Sequence, residues 1–95
     1  MRITGYGVYL TRNDICNYFN VDKYSNFDKL LDQFCADNKI KVKINWDRFS
    51  NNVFITNIDN IKRIDSPDYL ENLLNFSNLF KKNIEFRPWN YRDDN

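Results

Sequence analysis

The chain has 95 residues, the size of one domain, so we expect a single domain over residues 1–95. Its 14 Lys and Arg nearly balance its 13 Asp and Glu, and a net charge of +1 gives no general attraction to nucleic acid or to an anionic membrane. It has no histidine, the side chain that most readily exchanges protons at neutral pH, which argues against acid–base catalysis. A hydrophobic content of 42% supplies a core, so intrinsic disorder is not expected.

Hydrophobic periodicity and start signals predict the first elements. Residues 2–10 alternate as a strand, and its two glycines share a face on which another element can approach closely. Capping signals at Thr11 and Ser25 each open a helix. The second helix carries apolar residues at i, i+3, i+4, i+7 and i+8 from Phe27, and Asn38 is expected to end it.

Two β-rich runs follow, KIKVKINW at 39–46 and NVFITNI at 52–58, and the polar-leaning residues between them predict a hairpin. A Ser-Pro-Asp start at 66–68 predicts a third helix. Its apolar positions, all expected to be buried, are Leu70, Leu73, Leu74, Phe76 and Phe80. IEFRPW at 84–89 predicts a strand that its proline places at a sheet edge.

The predicted order of elements is therefore β-α-α-β-β-α-β. We expect an α+β fold with a small mixed or antiparallel sheet and about three helices packed mainly on one face.

The hairpin carries a row of alternating lysines. Lys39, Lys41 and Lys43 alternate with Ile40, Val42, Ile44 and Trp46. Because side chains alternate across a strand, burial of the apolar set turns the lysines to the other face. A solvated lysine face is ordinary for a half-exposed sheet and discourages aggregation at an edge. With Arg48 close in sequence, the same row is also a candidate phosphate contact.

Catalytic groups are sparse. The nearest carboxylate pairs are Asp28 with Asp32 and Asp93 with Asp94. An i, i+4 pair opposite an apolar stripe is typical of a solvated helix face. We therefore expect no enzyme, no cofactor and no small-molecule substrate. A metal-dependent nuclease, suggested by Pro67-Asp68 with Glu85-Phe86-Arg87, is a third alternative that loss of activity with a chelator would test.

Cys16 and Cys35, the only cysteines, fall within apolar helical patterns, where a thiol behaves as a small hydrophobe. The N-terminal MRITGYGVYLTRND has no apolar run long enough for a signal peptide or a membrane span. We expect a cytoplasmic protein with reduced thiols and no membrane partner. Sixteen asparagines indicate an AT-rich genome, such as that of a phage or a mobile element.

Residues 8–34, VYLTRNDICNYFNVDKYSNFDKLLDQF, resemble the first two helices of winged helix-turn-helix proteins such as phage excisionases. In that family an LT-x-x-E-hydrophobic opening leads to a short helix, a turn and a second helix. The resemblance implies that the hairpin at 39–58 is the wing and that the basic residues of the hairpin contact DNA. The outward positions of the second helix include Asp28 and Asp32, however, and carboxylates repel phosphates.

The C-terminal FRPWNYR interleaves aromatic residues with Arg87 and Arg92. If exposed, Trp89 and Tyr91 would suit a protein partner, because Trp, Tyr and Arg dominate binding hot spots, and they could also stack single-stranded bases. The alternative is that Phe86 and Trp89 are buried and close the core.

Our leading hypothesis is a small non-enzymatic binding protein of phage or mobile-element type. It would act stoichiometrically on a host protein complex, as an inhibitor of a defence or transcription system. The candidate contacts are Lys39, Lys41, Lys43, Arg48, Asp28, Asp32, Arg87, Trp89 and Tyr91. The alternative is a winged-helix-like DNA-binding regulator or excisionase.

Overall fold

The computed structural model of the chain describes residues 2–47, 49–58 and 70–91. In chain order its elements are β1 (Arg2–Leu10), α1 (Arg12–Phe19), α2 (Phe27–Asp37), β2 (Val42–Trp46), β3 (Val53–Asn57), α3 (Glu71–Phe80) and β4 (Ile84–Asn90). This α+β order confirms the predicted β-α-α-β-β-α-β. The predicted helix start at 66–68 lies outside the described residues, as do Arg48, Arg92, Asp93 and Asp94.

The four strands form one sheet in the order β2-β3-β1-β4. Each neighbouring pair is antiparallel, which decides between the mixed and antiparallel alternatives. In the register, Val8 lies opposite Ile55 on β3 and opposite Ile84 on β4. Pro88 lies within β4 at the edge of the sheet, as predicted, because an edge strand tolerates a missing N–H donor.

The helices and one face of the sheet enclose the core. The sheet contributes Val8, Leu10, Val53 and Ile55, all fully buried, and the helices contribute Ile15, Phe27, Leu31, Phe34, Leu73, Phe76 and Phe80. Leu74, predicted to be buried, is 45% exposed. It lies off the i, i+3, i+7 stripe that Leu73, Phe76 and Phe80 form on α3. Leu70 is the N-cap of α3 and is only partly buried.

The helix starts follow local hydrogen bonding. The predicted capping box at Thr11 is present: its hydroxyl accepts from the Asp14 N–H (3.1 Å), and its own N–H donates to the Asp14 carboxylate (2.9 Å). On α2 the cap is Asn26 and not Ser25, because the Asn26 side chain accepts from the Lys29 N–H at 3.1 Å.

On the face of the sheet away from the helices, the two outer strands β2 and β4 are in contact. β2 and β4 are at opposite ends of the strand order, yet the Trp89 indole N–H donates to the backbone carbonyl of Asn45 at 3.0 Å. The end of β4 therefore curls across the sheet toward β2. This curl encloses Phe54, which is fully buried. The close approach predicted at the glycines is confirmed at Gly7, where a Cβ atom would lie 2.6 Å from the Phe54 ring, whereas space is open beside Gly5.

Candidate protein-binding surface

Two of the three lysines of the predicted row lie outside the strand, in the connection between α2 and β2. β2 begins at Val42, so only Lys43 lies within the strand. Lys39 is in the turn after α2 with a φ of 56°, and the N–H of Lys41 donates to the Asn72 side chain at 3.0 Å. All three side chains are exposed. The strand alternation predicted from residue 39 is therefore wrong at its start, because a left-handed turn is needed to leave the helix.

The predicted C-terminal residues help to build the second face of the sheet. The Arg87 guanidinium lies 4.4 Å from the centre of the Tyr9 ring and 5.9 Å from that of Trp89. The Lys43 ammonium lies 5.5 Å from the Tyr91 ring, which is buried. The structure thus brings Lys43, Arg87, Trp89 and Tyr91 onto one face, where cation–π contacts and ring packing already engage them. Phe86, on the opposite face, is 63% exposed.

Asp28 and Asp32 lie on the exposed face of α2. Both line a shallow depression with Asn26, Lys29, Gln33 and Ala36. Among the described residues, no three His, Cys, Asp or Glu side chains are grouped to hold a metal ion. Burial, with a contribution from the Asp32 carboxylate, raises the pKa of the Cys35 thiol to about 11, so this thiol is a poor nucleophile at neutral pH.

Two aromatic side chains that sequence patterns did not single out are the most exposed large hydrophobic groups described. Tyr24, in the α1–α2 loop, is 84% exposed, and Phe49, in the β2–β3 loop, is 89% exposed. The two loops lie side by side. They jointly line a small depression formed by Ser25, Asn26, Phe27, Asp28, Trp46 and Asn51. We call Tyr24, Phe49 and this depression the paired-loop surface.

A short repeat could have identified both rings. Residues 22–26 read DKYSN and residues 47–51 read DRFSN, so each loop carries Asp, a basic residue, an aromatic residue, Ser and Asn. In each loop the backbone N–H of the aromatic residue donates to the Asp carboxylate two residues earlier, at 2.9 Å for Tyr24 and 3.4 Å for Phe49. These are turns closed by an aspartate side chain, and the two turns share their sequence pattern and this hydrogen bond.

The β2–β3 loop is anchored to the rest of the fold. The Asp47 N–H donates to the Asn52 carbonyl at 2.8 Å, and the Asp47 carboxylate accepts from the N–H and hydroxyl of Ser50. The Asn52 side chain accepts from the Arg12 N–H at 3.0 Å and donates to the Tyr9 hydroxyl at 3.1 Å. These bonds hold the loop in place, so a partner that contacts Phe49 would meet a preorganised backbone.

The groups on the paired-loop surface are of the kind that bind another molecule. Its exposed groups are two aromatic rings, amide and hydroxyl groups, and the Asp28 carboxylate beside them. The Lys23 ammonium lies 5.2 Å from the Tyr24 ring. Such a surface offers apolar area to bury and polar groups to orient a partner.

No helix within the described part of the chain is long and apolar enough to cross a membrane. Cys16 and Cys35 are free thiols. Compared with protein-family models, with curated proteins and with solved structures, the chain has no match in any of the three.

Proposed function

We propose that the protein is a non-enzymatic binding protein that acts stoichiometrically on another protein through its paired-loop surface. The observation that carries this proposal is the exposure of Tyr24 and Phe49 on two adjacent loops of matching sequence. Large aromatic rings contribute much of the binding free energy when a partner buries them. While they are exposed to water, this stabilisation is not realised. Two such rings on hydrogen-bonded turns favour a partner that buries both.

The shape of the described surface favours a macromolecule over a small molecule. Small ligands bind in concave sites that cover most of their surface, whereas the depressions described here are shallow and open. Asp28 and Asp32 lie on the helix that borders the two loops. We therefore propose a protein partner that presents apolar side chains flanked by basic ones.

The proposal also covers the genome that encodes the protein and the compartment in which it acts. The sixteen asparagines support an AT-rich genome of a phage or a mobile element, and the partner would then be a host protein of a defence or transcription complex that the chain inhibits. The free thiols of Cys16 and Cys35 support a reducing compartment, the host cytoplasm.

A matched pair of variants tests the binding surface. The tagged wild-type chain is used to capture proteins from a host lysate in parallel with Tyr24→Ser/Phe49→Ser and with Leu74→Ser as the control. Leu74 is 45% exposed on α3 and belongs to neither loop. With a partner identified in this way, we expect each ring to contribute about 2 kcal/mol, or on the order of 30-fold in Kd.

The proposal predicts an equimolar complex that the double loop variant loses and the Leu74 variant keeps, with no turnover of either protein. Capture of the same proteins in the same amounts by all three chains would contradict it. Circular dichroism and urea unfolding of all the variants establish that the substitutions leave the fold intact, as expected for the largely exposed Tyr24 and Phe49.

A further inference from the structure

A second surface, on other elements than the paired loops, is formed by the outer edge of β4. Among the described residues, β4 pairs with β1 on one side and with no strand on the other. An unpaired edge presents backbone N–H and C=O groups that can pair with another strand, and on β4 only Pro88 lacks the N–H. On this edge Phe86 is 63% exposed and packs edge-to-face on Tyr6, with ring centres 4.9 Å apart. Glu85 and Arg87 flank Phe86 on the opposite face of the strand.

The order Glu-Phe-Arg is self-complementary in charge when two copies run antiparallel. With a twofold axis at Phe86, Glu85 of each copy lies opposite Arg87 of the other. This follows because each residue on one side of the axis faces the residue equally far on the other side. Opposite charges directly across two strands stabilise the pair, and Phe86 meets its own counterpart on the other face. Within one chain the Glu85–Arg87 pair is exposed at 3.4 Å and contributes little by itself.

We infer that β4 is the interface of a homodimer, in which the β4 strands of two copies pair antiparallel about Phe86 and join two four-stranded sheets into one. This interface is isologous, so both copies use the same residues and the assembly closes as a dimer.

The charge pattern also selects the register. An axis at Glu85 would place two carboxylates opposite each other, and an axis at Arg87 would place two guanidinium groups opposite each other. A parallel pairing in register would place Glu85 opposite Glu85 and Arg87 opposite Arg87. Like charges directly across a strand pair are destabilising. Of these arrangements, only the antiparallel pairing centred on Phe86 places opposite charges together.

The experiment is sedimentation velocity of the full chain across a concentration series, with charge variants of β4. The wild-type chain is expected to shift with concentration toward twice its mass of 11.6 kDa. Glu85→Arg and Arg87→Glu are each expected to remain monomeric, because each places like charges opposite each other. Mixing the two variants restores all opposite pairs, and the dimer should return as a heterodimer.

Arg87 also packs on Tyr9, so Phe86→Asp is included as a variant that leaves this contact in place. It is expected to be monomeric, because it brings two carboxylates together at the axis. A wild-type chain that stays monomeric to about 1 mM overturns the inference, and so does a dimer that both Glu85→Arg and Phe86→Asp leave intact. The loop variant Tyr24→Ser/Phe49→Ser should dimerise as the wild type does, so the two proposals fail independently.

Discussion

Gly7 occupies a position of β1 where no side chain fits. A Cβ atom there would lie 2.5 Å from the Ile55 carbonyl oxygen and 2.6 Å from the Phe54 ring, closer than atoms pack. The obstacle includes backbone, which cannot move aside as a flexible side chain can. The glycine therefore permits the buried Phe54 to lie against β1.

We predict that Gly7→Ala lowers the free energy of unfolding by about 3 kcal/mol, the cost of overpacking a well-packed site. Gly5→Ala is the matched control in the same strand, because nothing lies within 4 Å of its added Cβ atom. It should be neutral or stabilising by up to about 1 kcal/mol, through a less flexible unfolded chain. Urea unfolding measures both, and equal effects of the two substitutions would contradict the packing described at Gly7.

The start of α1 is held by the Asp14 carboxylate. Burial by itself raises the pKa of this carboxyl, but the hydrogen bonds with Thr11 and the ion pair with Lys82 (3.3 Å) outweigh it, and the pKa lies below its ordinary value. A carboxyl whose pKa is lower in the folded state stabilises the fold above its unfolded pKa. That stabilisation is lost as the pH falls through the folded pKa.

Asp14→Asn is therefore predicted to lower the free energy of unfolding at pH 7 by about 1 kcal/mol, as for the loss of a capping interaction. The difference from the wild type should shrink as the pH falls below about 4 and through the lowered pKa of the folded state, below which the wild-type carboxyl is itself protonated. Urea unfolding at several pH values measures this. Asp32→Asn on the exposed face of α2 is the control, and an Asp14 deficit that is unchanged at low pH would contradict the assignment.

At the scale of elements, the sequence predicts what depends on near neighbours. The capping box at Thr11 and the apolar stripe from Phe27 are local patterns, and the structure bears out both helices. The sequence pattern predicts the start of β2 three residues early, because the left-handed conformation of Lys39 follows from how α2 ends. The prediction that Leu74 is buried is wrong, because α3 has more apolar residues than its one buried stripe accommodates.

At the scale of the whole molecule, the contacts on the second face of the sheet could not be predicted from the sequence. The bond from Trp89 to Asn45 joins residues 44 positions apart and depends on the curl of β4 across the sheet. Nothing local in FRPWNYR indicates that Tyr91 is buried while Phe86 is exposed. The adjacency of the Tyr24 and Phe49 loops likewise depends on the fold, which brings the start of α2 close to the end of β2, although the repeated pentapeptide is visible in the chain.

The distribution of charge over the molecule yields a prediction about nucleic acid. The net charge is +1, and the charged groups on the exposed face of α2 include Asp28 and Asp32. We predict that fluorescence anisotropy at low salt detects no binding to duplex DNA or to RNA. Binding that falls steeply with salt and is lost in Lys39→Ala/Lys41→Ala/Lys43→Ala would instead support the winged-helix-like alternative.

The most direct test of the paired-loop surface is site-specific photocrosslinking in host cells. A photoreactive phenylalanine analogue replaces Tyr24, Phe49 or, as the control, Leu74, and the adducts are compared by mass. We predict that positions 24 and 49 yield the same discrete adduct with one host protein and that position 74 does not. Adducts that are absent from both loops, or equally abundant at position 74, would show that a partner does not bind here.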